Sequence, residues 1–140
     1  MKEAIDNFLY IVHFLLDFDG IVYEINDDFL EKNRLLSSSC VEEKRILLRS
    51  SYQDDMDLFF RIAYEARHIR QCHQEILSDS LAEIDANAFA SVCMQQIYGL
   101  VPLFTNLPRK SVSEIRNREK LLFAELDRRF EILKRSRLIP

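Results

Sequence analysis

Two glycines, Gly20 and Gly99, and three prolines supply all the strong backbone punctuation in a chain of 140 residues. A many-stranded β-fold needs a tight turn roughly every 8–12 residues, and this chain has too few turn formers to make them. Long helices are therefore the default. The 48% hydrophobic content is enough to bury a core without metal or disulfide staples, so residues 1–140 read as one domain.

The helix reading is clearest at the start. Glu3, Asp6, Tyr10, His13 and Asp17 recur at steps of three and four and make one polar stripe, with Ile5, Phe8, Leu9, Val12, Leu15 and Leu16 on the opposite face. Gly20 can supply the left-handed residue past the end. A shorter helix is expected over Ile25 to Leu36, closed by a Ser37-Ser38-Ser39 loop, and Ser39 with Glu42 forms a capping-box pattern. Val41 to Leu77 contains neither Pro nor Gly, and Tyr52, Met56, Phe59, Ala63, Ala66, Ile69, Cys72 and Ile76 keep helical spacing. This predicts one long central helix with a possible break at Ser50-Ser51. Asp79 and Ser80 can cap a helix over Leu81 to Leu100, and Pro102 and Pro108 bracket the loop after it. The last helix, over residues 111–136, opens on a Ser111/Glu114 capping box and carries Ile115, Leu122, Leu126, Phe130 and Leu133 as its seam. The expected fold is all-α, an antiparallel bundle of four to five helices.

The apolar run Phe8 to Leu16 is too short to span a bilayer, and Glu3 and Asp6 ahead of it do not fit a signal peptide. Cys40, Cys72 and Cys93 are an odd number in separate segments, which points to free thiols and a reducing, cytoplasmic compartment. Charge is unevenly spread. Residues 109–140 hold ten basic side chains against five acidic ones, a net of +5, which leaves −9 on residues 1–108. A basic terminal helix on an acidic body can dock on that body, on a second copy or on another protein. Its pair Arg128 and Arg129 is a candidate partner surface. Nucleic acid is not favoured, because no aromatic residues interleave with the cations and the whole chain is acidic. The adjacent Phe59 and Phe60 cannot both face one narrow seam, so one of them is expected to meet a second layer or another chain.

Three strings could carry chemistry. Asp17-Phe18-Asp19-Gly20 resembles the first motif of haloacid-dehalogenase-type phosphatases. That resemblance implies Asp17 as nucleophile and Asp19 as general acid beside a Mg²⁺, both at the end of a parallel strand. Arg67 to His73 resembles the Arg–His motif of HEPN ribonucleases, small helical domains that pair to cleave RNA without metal. It implies His73 as general acid or base and Arg67 as holder of the scissile phosphate. On a straight helix, however, six residues do not put the two on one face. Glu65 and His68, three apart, form half of a di-iron carboxylate motif, but the chain has no second Glu-x-x-His, so neither metal nor cofactor is expected.

With no convergent catalytic set, the residues read as a non-enzymatic helical interaction module: an adaptor, chaperone, inhibitor or regulatory subunit. It would act through protein contacts or self-association at Phe59, Phe60, Arg128 and Arg129. The rival readings are a ribonuclease using Arg67 and His73, and a phosphatase remnant at Asp17 and Asp19.

Overall fold

A computed structural model describes residues 1–74 and 77–140. The first helix, α1 (Lys2–Leu16), buries Ile5, Phe8, Leu9, Val12, Leu15 and Leu16, the apolar face that its polar stripe predicts. It stops earlier than the glycine implies. Asp17 takes the left-handed cap conformation at φ 51°, and Gly20, at φ 89°, turns the chain into a strand.

That strand corrects the all-α expectation. The fold is mostly helical, with a small three-stranded sheet built from β1 (Val22–Ile25), β2 (Ser37–Cys40) and β3 (Arg45–Leu48), and the short α2 (Asp27–Lys32) lies between β1 and β2. The strand order is β1-β3-β2, with β1 parallel and β2 antiparallel to the central β3. Ile25 thus belongs to a strand, the expected Ser37-Ser38-Ser39 loop is a strand, and the long central helix begins only after the break at Ser50-Ser51. The physical reason is burial. Ile46, Leu47 and Leu48 are buried together, which one face of a short amphipathic helix cannot achieve but the centre of a covered sheet can. Serines, which compete for helical backbone bonds, fill the neighbouring strand instead.

Helix α3 (Asp55–Gln74) follows, its first turn capped by the Asp54 carboxylate, which accepts from the Asp57 N–H at 2.9 Å. Ile76 of the expected seam lies outside the described residues. Helix α4 (Asp79–Tyr98) starts at Ser78, whose hydroxyl accepts from the Leu81 N–H, and ends at Gly99 with φ 68°. Helix α5 (Arg109–Arg135) begins two residues ahead of the Ser111/Glu114 pattern, directly after Pro108 and with no side-chain cap. Its whole predicted seam, Ile115, Leu122, Leu126, Phe130 and Leu133, is buried.

Helices α3 and α4 run in opposite senses, since Arg67 meets Asp85 and Gln71 meets Ala82. The pair α4 and α5 departs from an antiparallel bundle. Asp85 meets Arg118, Ser91 meets Glu119 and Gln96 meets Lys134, so residue numbers rise together and the two helices run in the same sense. Residues 99–108 must therefore return along the molecule. One core unites the parts: Phe8 of α1 and Phe59 of α3 lie 4.9 Å apart, Tyr98 of α4 stacks 5.6 Å from Phe59, and Ile46 and Leu48 join from the sheet. Among the described residues no helix is long and apolar enough to cross a membrane.

Candidate functional site

The middle of the α3–α4–α5 interface is polar. Arg67 donates to Asp85 through Nε at 2.7 Å and Nη2 at 3.1 Å, and both side chains are only 3% exposed. Arg118 adds a bond to Oδ1 at 2.8 Å, and Gln71 Nε2 one to Oδ2 at 2.7 Å. Burial alone would push the Asp85 carboxyl up, but the Arg67 guanidinium and the other donors outweigh it and hold it below its ordinary value.

Gln71 passes this order outward. Its Nε2 is spent on Asp85 and the Ala82 carbonyl, so its Oε1 must face His68 Nδ1, 3.0 Å away, as an acceptor. The other ring nitrogen, Nε2, lies 3.0 Å from the Glu83 carboxylate. An imidazole between two acceptors satisfies both only when both nitrogens donate, so this setting favours its cationic form. Burial opposes this charge, yet the bond to Glu83 prevails and raises the His68 pKa, while His68 in turn lowers that of Glu83. Tyr64 completes the chain by donating to Glu83 at 2.6 Å.

Tyr64, His68 and Glu83 line a groove of about 540 Å³ between β2 and α3, with Glu65 beside them. Ser37 Oγ donates to Glu65 Oε2 at 2.6 Å, but burial dominates and raises that carboxyl. Cys72 also reaches the groove, one turn after His68. No base faces its thiol from His68, because Gln71 and Glu83 occupy both ring nitrogens.

The residues singled out in the sequence divide clearly. Arg67 and His73 are not brought together: Arg67 is locked under α4, whereas His73 is exposed, with Nε2 2.8 Å from the Val41 carbonyl and its ring against Phe18. Asp17 and Asp19 follow a helix and precede β1, so they do not stand at the end of a strand. The Asp17 side chain is 82% exposed and meets Arg129 at 3.6 Å, while the Asp19 carbonyl accepts from Lys44. Glu65 and His68 do share the groove, but among the described residues no cluster of three potential metal ligands forms. Phe59 is core. Phe60 is the neighbour that meets a second layer, packing on Phe104 at 6.0 Å. Arg129 is used internally, donating to the Phe14 carbonyl, whereas Arg128 is exposed and has no partner among the described residues.

Sequence reasoning missed the segment that carries Phe104. Along residues 100–107 the side chains of Leu100 (46% exposed), Val101 (56%), Leu103 (71%) and Leu107 (39%) stand in solvent. The strap is held from inside. Arg116 donates to the Pro102 carbonyl and stacks on Phe104 at 5.3 Å, and Glu119, which accepts from Ser91 and Gln95, fixes Arg116. The available signal was four aliphatic residues in one short loop, Leu100 and Val101 just ahead of Pro102 and Leu103 and Leu107 between Pro102 and Pro108. Comparison with protein-family models, curated proteins and solved structures gives no match to this chain.

Proposed function

We propose that this chain is a non-enzymatic, largely helical interaction module that works by protein–protein contact through the 100–107 strap. The observation that carries the reading is the strap itself: a short segment fixed from beneath by Arg116 and Phe104 that presents four large aliphatic side chains outward. Singly exposed aliphatics are ordinary, but a rigidly backed cluster is what an interface core requires. The groove supports the same reading indirectly. Its histidine, carboxylates and tyrosine satisfy one another, so they stabilise the α3–α4 joint and leave no free base or nucleophile pair. The N-terminal cations of α5, Arg109 and Lys110, which follow the strap directly in the chain, would form the polar rim.

The test is a binding comparison in lysate of the source cells, with wild type and Leu103→Asp as baits. A partner retained by wild type and lost with the strap variant, whose circular dichroism is unchanged, is the expected result. Partners bound equally by both would place the contact elsewhere.

A further inference from the structure

The strap has a second property, which lies in its backbone. Exposure alternates along residues 101–103, with Val101 and Leu103 out and Pro102 turned in, the pattern of a short extended run, which ends at Phe104, whose φ of 53° is left-handed and whose carbonyl accepts from the Leu107 N–H in a turn. Proline fixes φ at its own position and favours extended geometry before it. The Pro102 carbonyl points inward to Arg116, so the N–H and C=O groups of Val101 and Leu103 point to the opposite edge. Among the described residues they have no partner.

The sheet has a matching edge. The Val22 N–H donates to the Lys44 carbonyl and the Asn26 N–H to that of Leu48, so alternate residues of β1 bond inward to β3. Tyr23 and Ile25 therefore turn their backbone groups to the free side of the outermost strand. Both surfaces offer bonding residues at a spacing of two. Beside this edge lies a cavity of about 360 Å³, whose apolar walls include Ile5, Tyr23, Ile25 and Leu58. Asp54 and Asp55 stand on it, and Asp55 has no partner among the described residues. Its cations are already engaged, Lys2 with Asp6 and Arg49 with the Leu35 carbonyl. Just past the strap, Arg109 and Lys110 are exposed and unpaired among the described residues, on a helix start with no acidic residue in its first turn. Positive charge at that end of a helix is unfavourable until an anion meets it.

We infer that the occupant of the β1 edge and its cavity is the strap of a second copy of this chain. It would add as a fourth strand, with Val101 or Leu103 seated in the cavity and Arg109 and Lys110 against Asp54 and Asp55. This rests on the proposed interaction reading and names its partner. The arrangement closes as a two-fold dimer. Asp57 borders the strap groove while Asp55 and Leu58 border the cavity, so both surfaces flank the first turn of α3 and can be exchanged reciprocally. Strand addition of this kind uses main-chain bonds for affinity and the pocket for register.

Sedimentation velocity over a concentration series tests it, with circular dichroism confirming that each variant is folded. Wild type is expected to dimerise. Leu103→Glu in the strap and Ile25→Lys on the edge should each weaken the dimer by about tenfold or more, as a lost interface anchor does. Both positions are exposed enough to spare the fold. Mixing the two variants should restore a heterodimer, because one strap–cavity pair is then native and the other sets Glu against Lys. Asp55→Lys, a rim change that touches no core atom, should weaken the dimer, and Lys110→Glu should rescue it. A wild type that stays monomeric, or a dimer indifferent to all these changes, overturns the inference. If that monomer still loses another protein partner on Leu103→Asp, the interaction reading stands and only the second copy is excluded. If no partner depends on the strap, both fail.

Discussion

Asp85 shows how one residue can organise an interface. It accepts from Arg67, Gln71 and Arg118, three side chains on two helices, while almost wholly buried. Arg67→Ala leaves a buried carboxylate short of its closest cation, and breaking such a pair costs about 3–5 kcal/mol. The expected loss lies at the lower end because Arg118 remains, and urea denaturation measures it. Arg67 was legible as a special residue but was given the wrong company. Nothing in a linear reading says that a basic side chain in α3 will meet an acid in α4, and only the absence of a polar stripe around Asp85 and Ser91 hints that these are interior positions. The histidines make a second residue-scale prediction. His68 has its pKa raised above 6.5, so its stabilisation is complete below 6.5 and is lost as pH rises through the folded value. His13, whose Nε2 accepts the Ile21 N–H at 3.1 Å, is lowered chiefly by burial. Its contribution is complete above 6.5 and disappears as pH falls through its folded value. Thermal melts should therefore show His68→Asn flattening the alkaline limb of the stability profile, and His13→Asn the limb just below 6.5. A pH dependence unchanged in both variants would falsify these charge assignments.

At the scale of elements, legibility followed length. The seam of α5 and the stripe of α1 extend over several turns, and each repeats often enough to define a face. The strands have four residues apiece, too short for alternation to declare itself, and β2 is three serines and a cysteine, a composition that reads as a loop. β3 was absorbed into the helical spacing that really begins after Ser50-Ser51. The sense of α5 was equally hidden, because the length of a loop does not reveal that residues 99–108 return along the bundle. Gly99 starts that return. Its φ of 68° is left-handed, yet an added Cβ would meet no atom within 4 Å. Gly99→Ala should therefore cost only the backbone term, about 1 kcal/mol, in a chemical melt. A much larger loss would mean that the helix end and the strap are coupled more tightly than their contacts indicate.

For the whole molecule, the question is whether the small sheet is an appendage or part of a single cooperative unit. The core argues for the latter. Ile46 and Leu48 of β3 pack in the same cluster as residues from α1, α3, α4 and α5. Even the C-terminal tail returns to it: the chain turns at Arg137, with φ 59°, and Ile139 is buried. Charge reinforces the closure, since Arg118 and Arg129 of the basic helix bind Asp85 and Asp17 of the acidic body. The expected +5 against −9 complementarity is thus used at least partly within the molecule. Removing residues 137–140 exposes the surface under Ile139 and should lower stability by roughly 1.5–3 kcal/mol, the value of one buried aliphatic side chain. Because that loss falls on a shared core, it should shift the whole transition. Far-UV circular dichroism, which reports the helices, and fluorescence from tyrosines, including Tyr23 in β1 and Tyr52 beside β3, should move together in wild type and truncated chain alike. Two separated transitions would show instead that the sheet melts on its own, and a β1 edge that loosens independently could not hold a docked strap in register.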